Sequence, residues 1–199
     1  MRRSLLAVLV PMFTIGCGYN TIQTLDEQAN SARQSIEVQL QRRADLVPNL
    51  VSTVKGYAAH EEGVFTQVAT ARAGLAGAIK SGDAAQMANA NATLTQGLGR
   101  LLAIAEAYPQ LKADAGFLRL QDELTGTENR IATSRNDYNE AVKQYNAYIR
   151  QFPTVITAKM TGAKTREYFE VTNPGAREAP SVDFSKSSAG SAPAPRATP

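Results

Sequence analysis

The residues able to do chemistry in this chain are few, and their spacing argues against most reactions. There is one cysteine, Cys17, and one histidine, His60, followed by Glu61 and Glu62. A lone cysteine excludes an internal disulfide framework and multi-cysteine metal sites, and a lone histidine excludes an HExxH zinc motif. No P-loop or dinucleotide fingerprint is present. Five charges lie in phase with apolar stripes: Arg43, Glu61, Glu106, Glu128 and Arg135. Inward glutamates can hold metal pairs in helical bundles, but such sites use Glu-x-x-His. Here Glu61, Glu106 and Glu128 are followed at that spacing by Val64, Pro109 and Ile131. The competing reading is a structural polar seam. A charge on a core face is retained when paired, since burying it alone costs several kcal/mol. Glu128 and Arg135 are seven residues apart, about 10.5 Å of helix rise, so each must find its counter-charge on another helix. Arg43, Glu61 and Glu106 are the candidates. Tyr138-Asn139 and Tyr145-Asn146 repeat at the same interval, and asparagine is a poor mid-helix residue, so Asn139 and Asn146 are expected to hydrogen-bond between helices.

The elements that would carry these side chains are helices throughout. Ile22, Leu25, Ala29, Ala32, Ile36 and Leu40 keep the amphipathic three/four period, and after Pro48 the stripe resumes as Leu50, Val54, Tyr57, Val64 and Val68. Pro48 predicts either a kink or a new helix. Gly82-Asp83 reads as a stop followed by an N-cap. Met87, Leu94, Leu98 and Leu101 mark the next helix, which ends at Tyr108-Pro109. The run from Phe117 to Phe152 is the most regular, and Val155 to Val171 predicts one further short helix. The fold class expected is all-α, an antiparallel bundle of about four long helices over residues 17–171.

Both ends read differently. Arg2-Arg3, the apolar run from Leu5 to Val10 and Thr14-Ile15-Gly16-Cys17 have the parts of a secretory signal over residues 1–16. The last four resemble a bacterial lipobox, implying cleavage after Gly16 and acylation of Cys17. Two or three acyl chains give durable anchoring where one is marginal. The expected location is the outward side of the inner membrane; in a Gram-negative cell Gly18 favours the outer membrane. Residues 172–199, rich in Pro, Ser and Ala with Phe184 as sole aromatic, predict a disordered tail. The formal charge of +3 belongs to these ends: without Arg2, Arg3 and the tail, basic and acidic residues are equal in number. A neutral domain lacks the field that drives nucleic-acid binding.

Several segments together resemble the LemA family of bacterial envelope proteins. They are Cys17-Gly18-Tyr19-Asn20, Arg42-Arg43-Ala44-Asp45-Leu46-Val47-Pro48-Asn49-Leu50-Val51, Ala71-Arg72-Ala73, Glu106-Ala107-Tyr108-Pro109, Glu128-Asn129-Arg130-Ile131, Tyr145-Asn146 and Phe152-Pro153. The resemblance implies a helical bundle facing outward from a membrane anchor, with no established enzymatic activity, cofactor or small-molecule substrate. The function expected is a non-enzymatic scaffold or adaptor for other envelope or membrane proteins. The alternative is an accessory sensor binding a small ligand or ion between its helices.

Overall fold

A computed structural model describes residues 2–171, with side chains from Gly18 onward. The side chain of Cys17 and the tail from Thr172 lie outside the described residues, and so do the expectations placed on them. Six helices follow in order among the described residues: α1 (Arg2–Lys55), α2 (Glu62–Ser81), α3 (Ala84–Ala107), α4 (Pro109–Lys112), α5 (Ala115–Tyr148) and α6 (Thr154–Thr161). Among the described residues the chain is all-helical apart from turns and an extended stretch after α6.

α1 is the spine. Its stripe Ile36, Leu40, Val47, Leu50 and Val54 is fully buried, each such side chain contributing about 1.5–3 kcal/mol. α5 runs against it in the opposite direction: Arg43 meets Glu128, while Ile22 packs with Tyr145 and Ile149. α2 also runs opposite to α1, with Arg33 reaching Gly82 and Arg72 reaching Ala44. α3 folds back on α2, where buried Gly97 lets it approach Val68 closely; a Cβ there would stand 3.4 Å from the valine methyl. No helix among the described residues is long and apolar enough to cross a membrane.

The stop and start between α2 and α3 follow the sequence. Gly82 takes the left-handed conformation, φ 69°, and the Asp83 carboxylate accepts from the backbone N–H of Gln86. A side chain at residue 82 would also collide with Arg33, whose Nη1 donates to the Gly82 carbonyl at 3.0 Å.

Pro48 neither splits α1 nor starts a new helix. A proline removes the N–H that would bond the carbonyl four residues back, which here belongs to Ala44. Arg72 of α2 supplies the missing donor, its Nε lying 2.8 Å from the Ala44 oxygen. Two expectations need correction. α1 ends at Lys55, so the stripe does not carry through to Tyr57 and Glu61; Tyr57 is exposed and Glu61 sits in the turn before α2. The run Val155 to Val171 is not one helix: α6 stops at the left-handed Gly162, and residues 163–171 continue as a non-helical strap that bends at Phe169.

Candidate functional site

Two polar seams bind α5 to its neighbours. The first lies mid-bundle. Arg43 of α1 is 4% exposed and forms an ion pair with Glu128 of α5, while its Nη1 donates to Asn91 Oδ1 of α3 at 2.7 Å. One guanidinium therefore joins three helices. Burial pulls the Arg43 pKa below the ordinary arginine value, and the neighbouring Glu128 carboxylate opposes that shift. The Glu128 side chain is 46% exposed, so the pair has one dry partner and one half-solvated one.

The second seam lies toward the start of α1, where α5 holds the strap. Asn146 donates from Nδ2 to the Arg166 carbonyl and accepts from the Arg166 N–H, both at 2.8 Å. Asn139 treats Phe169 the same way, accepting its N–H at 2.8 Å and donating to its carbonyl at 3.4 Å. The match is one of repeat lengths. Seven helical residues rise about 10.5 Å, and three extended residues span about 10 Å. A heptad of asparagines can thus clamp every third residue of an extended chain. Tyr138 adds a hydroxyl hydrogen bond to the Glu167 carbonyl at 2.8 Å, and Phe169 is buried in the main core. The Arg166 side chain crosses to α1, donating to Asp26 at 2.8 Å and Asn30 at 3.0 Å beside the Tyr145 ring. The hydrogen bond that Arg166 donates to Asp26 holds the Arg166 pKa above its ordinary value against burial. So the two asparagines do not hydrogen-bond between helices as expected; they satisfy the backbone of a strap that has no helical partners of its own.

The remaining seam candidates lie apart. Glu106 is exposed and pairs with Lys112 at 2.6 Å. Arg135 is exposed on α5, and Glu61 is half-buried in the turn preceding α2. No cluster of three or more histidine, cysteine, aspartate or glutamate side chains among the described residues could hold a metal ion. An open groove of about 540 Å³ runs between α2 and α3, lined by residues including Thr66, Thr70, Gly74, Thr93 and Arg100. Sequence reasoning missed Arg72, Asn91 and Arg166. Arg72 had a signal: a proline inside a helix always frees the carbonyl four residues earlier, so a donor was owed to Ala44.

The model of the LemA family matches residues 32–184, more than half the chain. The chain belongs to the LemA family. The LemA match spans Arg43, Arg72, Asn91, Glu128, Asn139, Asn146 and Arg166, and begins beyond Cys17. It also extends past the strap into residues 172–184. Similar proteins include magnetosome protein MamQ 2 of Paramagnetospirillum magneticum, 32% identical over 190 residues, covering 84% of this chain and 70% of the relative. Magnetosome protein MamQ of Magnetospirillum gryphiswaldense is 30% identical over 189 residues, covering 83% and 70%.

Proposed function

We propose that this LemA protein is a lipid-anchored envelope protein, acylated at Cys17, whose antiparallel bundle stands off the membrane and acts by binding other envelope proteins rather than by catalysis. The observation that carries the reading is α1, which runs without a break from Arg2 to Lys55 and serves as the spine of the core. After cleavage behind Gly16 the same helix would run from the acylated Cys17 to Lys55. A helix that leads from the anchor directly into the core fixes the bundle's attitude to the membrane, as a scaffold requires. Use of the charged residues as helix-to-helix fasteners supports the same reading, since Arg43 and Glu128 meet each other and Glu106 meets Lys112. The similar proteins are named for a structure, the magnetosome, and not for a reaction.

The test compares wild type with Cys17→Ser. Fatty-acid labelling should be lost in the variant, and a slower-migrating, uncleaved precursor should accumulate. Crosslinking in intact membranes should recover a reproducible envelope protein with wild type and lose it with the variant. Continued labelling of Cys17→Ser would overturn the anchor, and a wild-type chain that crosslinks to no other protein would overturn the scaffold.

A further inference from the structure

The anchor end of the bundle carries an apolar face with no covering element among the described residues. Gly18 packs on α6: a Cβ there would stand 3.8 Å from the Thr154 side chain and 3.9 Å from Thr157 Oγ1. Thr154, Thr157 and Ala158 face inward, and Ala158 joins Ile22, Tyr145 and Ile149 in a small core separate from the main one. The opposite side of α6 presents Ile156 and Met160, one turn apart and 51% and 73% exposed, and the turn leading into the helix presents Phe152, 83% exposed. Scattered exposed apolar side chains need no explanation, but three strongly exposed ones within nine residues, with Tyr19 exposed next to Gly18, mark an interaction surface.

Position and charge together select the occupant. Residue 17 is where the anchor begins on either route, whether as acyl chains on Cys17 or as the retained apolar segment that α1 continues into. Gly18, one residue further on, touches the inward side of α6, so on the anchoring reading the start of α6 lies at the membrane end of the bundle. From Ser4 to Leu25 the sequence has no charged residue, and from Ile149 to Thr165 it has Arg150, Lys159 and Lys164 with no acid. All three cations are exposed. Apolar side chains rimmed by cations are the composition that enters the headgroup region of an anionic membrane surface.

We infer that the Phe152–Ile156–Met160 face is a second, peripheral membrane contact, seated in the headgroup layer of an anionic bilayer beside the N-terminal anchor. This rests on the anchoring reading above. Residues 154–166 ascend alongside residues 18–26, from the Gly18 contact to the Asp26–Arg166 ion pair, so Phe152 should sit deepest and Met160 shallowest. The contact adds to the anchor a second point that stops the bundle from swivelling.

The chain has no tryptophan, which makes single-tryptophan reporters clean. The full chain, purified from membranes, is reconstituted into vesicles containing anionic phospholipid with brominated acyl chains. Phe152→Trp and Ile156→Trp should show blue-shifted emission and roughly two-fold or greater quenching by the brominated lipid, with Met160→Trp weaker. Val38→Trp, at an exposed site about 30 Å further along α1, should show neither. Co-flotation with vesicles, together with water-like and unquenched emission from residues 152 and 156, would overturn the second contact while leaving the anchor standing. A blue shift without quenching would mean protein covers the face and would overturn it as well. Failure to co-float would remove the anchor and this contact together.

Discussion

The two seams of α5 solve the same problem in opposite ways. At mid-bundle a single buried guanidinium ties α1, α3 and α5 together, and Arg43 Nε has no hydrogen-bond partner among the described residues. At the anchor end, neutral amides of Asn139 and Asn146 pair both the donor and the acceptor of each strap residue they hold. The first arrangement concentrates its energy in one charge and leaves part of it unsatisfied. The second spreads its energy over several neutral bonds and leaves little stranded. A charge reads three helices at once, which fixes register; an amide ladder only holds what is already in place. The mid-bundle node should therefore fail abruptly and the strap gradually.

The largest expected effect is at the node. Glu128→Ala strands Arg43 in a dry site, and stranding one member of a buried pair costs about 3–5 kcal/mol. The lower end applies, since Glu128 is half-solvated and Asn91 still accepts from Arg43. Arg43→Met combined with Glu128→Ala should recover most of the loss, because no charge is left uncompensated. Urea unfolding of the singles and the double measures this. Additive losses would mean that the pair is incidental and that the node is no different from the strap.

Within the strap, Asn146→Ala should cost about 2 kcal/mol, from two short hydrogen bonds worth about 1 kcal/mol each. Asn139→Ala should cost less, since one of its two bonds is long at 3.4 Å. Amide hydrogen exchange locates the damage: protection should fall at Arg166 in the first variant and at Phe169 in the second, with α1 near Arg43 unaffected. Global loss of protection in either would merge the two regions into one cooperative unit.

How much of this was legible in the sequence depends on whether local chemistry or register decided it. Gly82-Asp83 was legible because the left-handed stop and the N-cap are local. The all-helical class was legible because the three/four rhythm of Ile36, Leu40, Val47, Leu50 and Val54 is strong. Arg43 stood out as a charge on a core face, but its partner did not, because sliding α5 by one turn would offer it a different neighbour. Glu61 was placed in the seam by extending a helical phase through Gly56, where the helix had already ended. Asn139 and Asn146 were recognised as a repeat and given the wrong kind of partner. The Val155–Val171 run has the composition of a helix, and only the left-handed Gly162 and the core position of Phe169 show that it turns into a strap.

The smallest and most selective prediction uses pH. Tyr138 donates to the strap at the Glu167 carbonyl, and burial raises its pKa above the ordinary 10.0, with Arg166 and Arg33 pulling the other way. Burial likewise raises Tyr145. A folded-state pKa above the unfolded one means that the folded chain holds more protons, so stability falls as pH rises. The contribution is complete below the ordinary tyrosine value and is lost as pH climbs through the folded one. Arg43 is shifted down instead, so any slope it adds at extreme pH has the opposite sign. Alkaline loss of stability should therefore start at the strap, with amide protection at Arg166 and Phe169 falling before protection near Arg43. Tyr138→Phe should cost about 1 kcal/mol at neutral pH for the lost hydrogen bond, and should flatten the decline above pH 10.0. An equally steep alkaline decline in that variant would remove Tyr138 as its source. Simultaneous loss of protection at both seams would show that the strap and the node do not respond separately to charge.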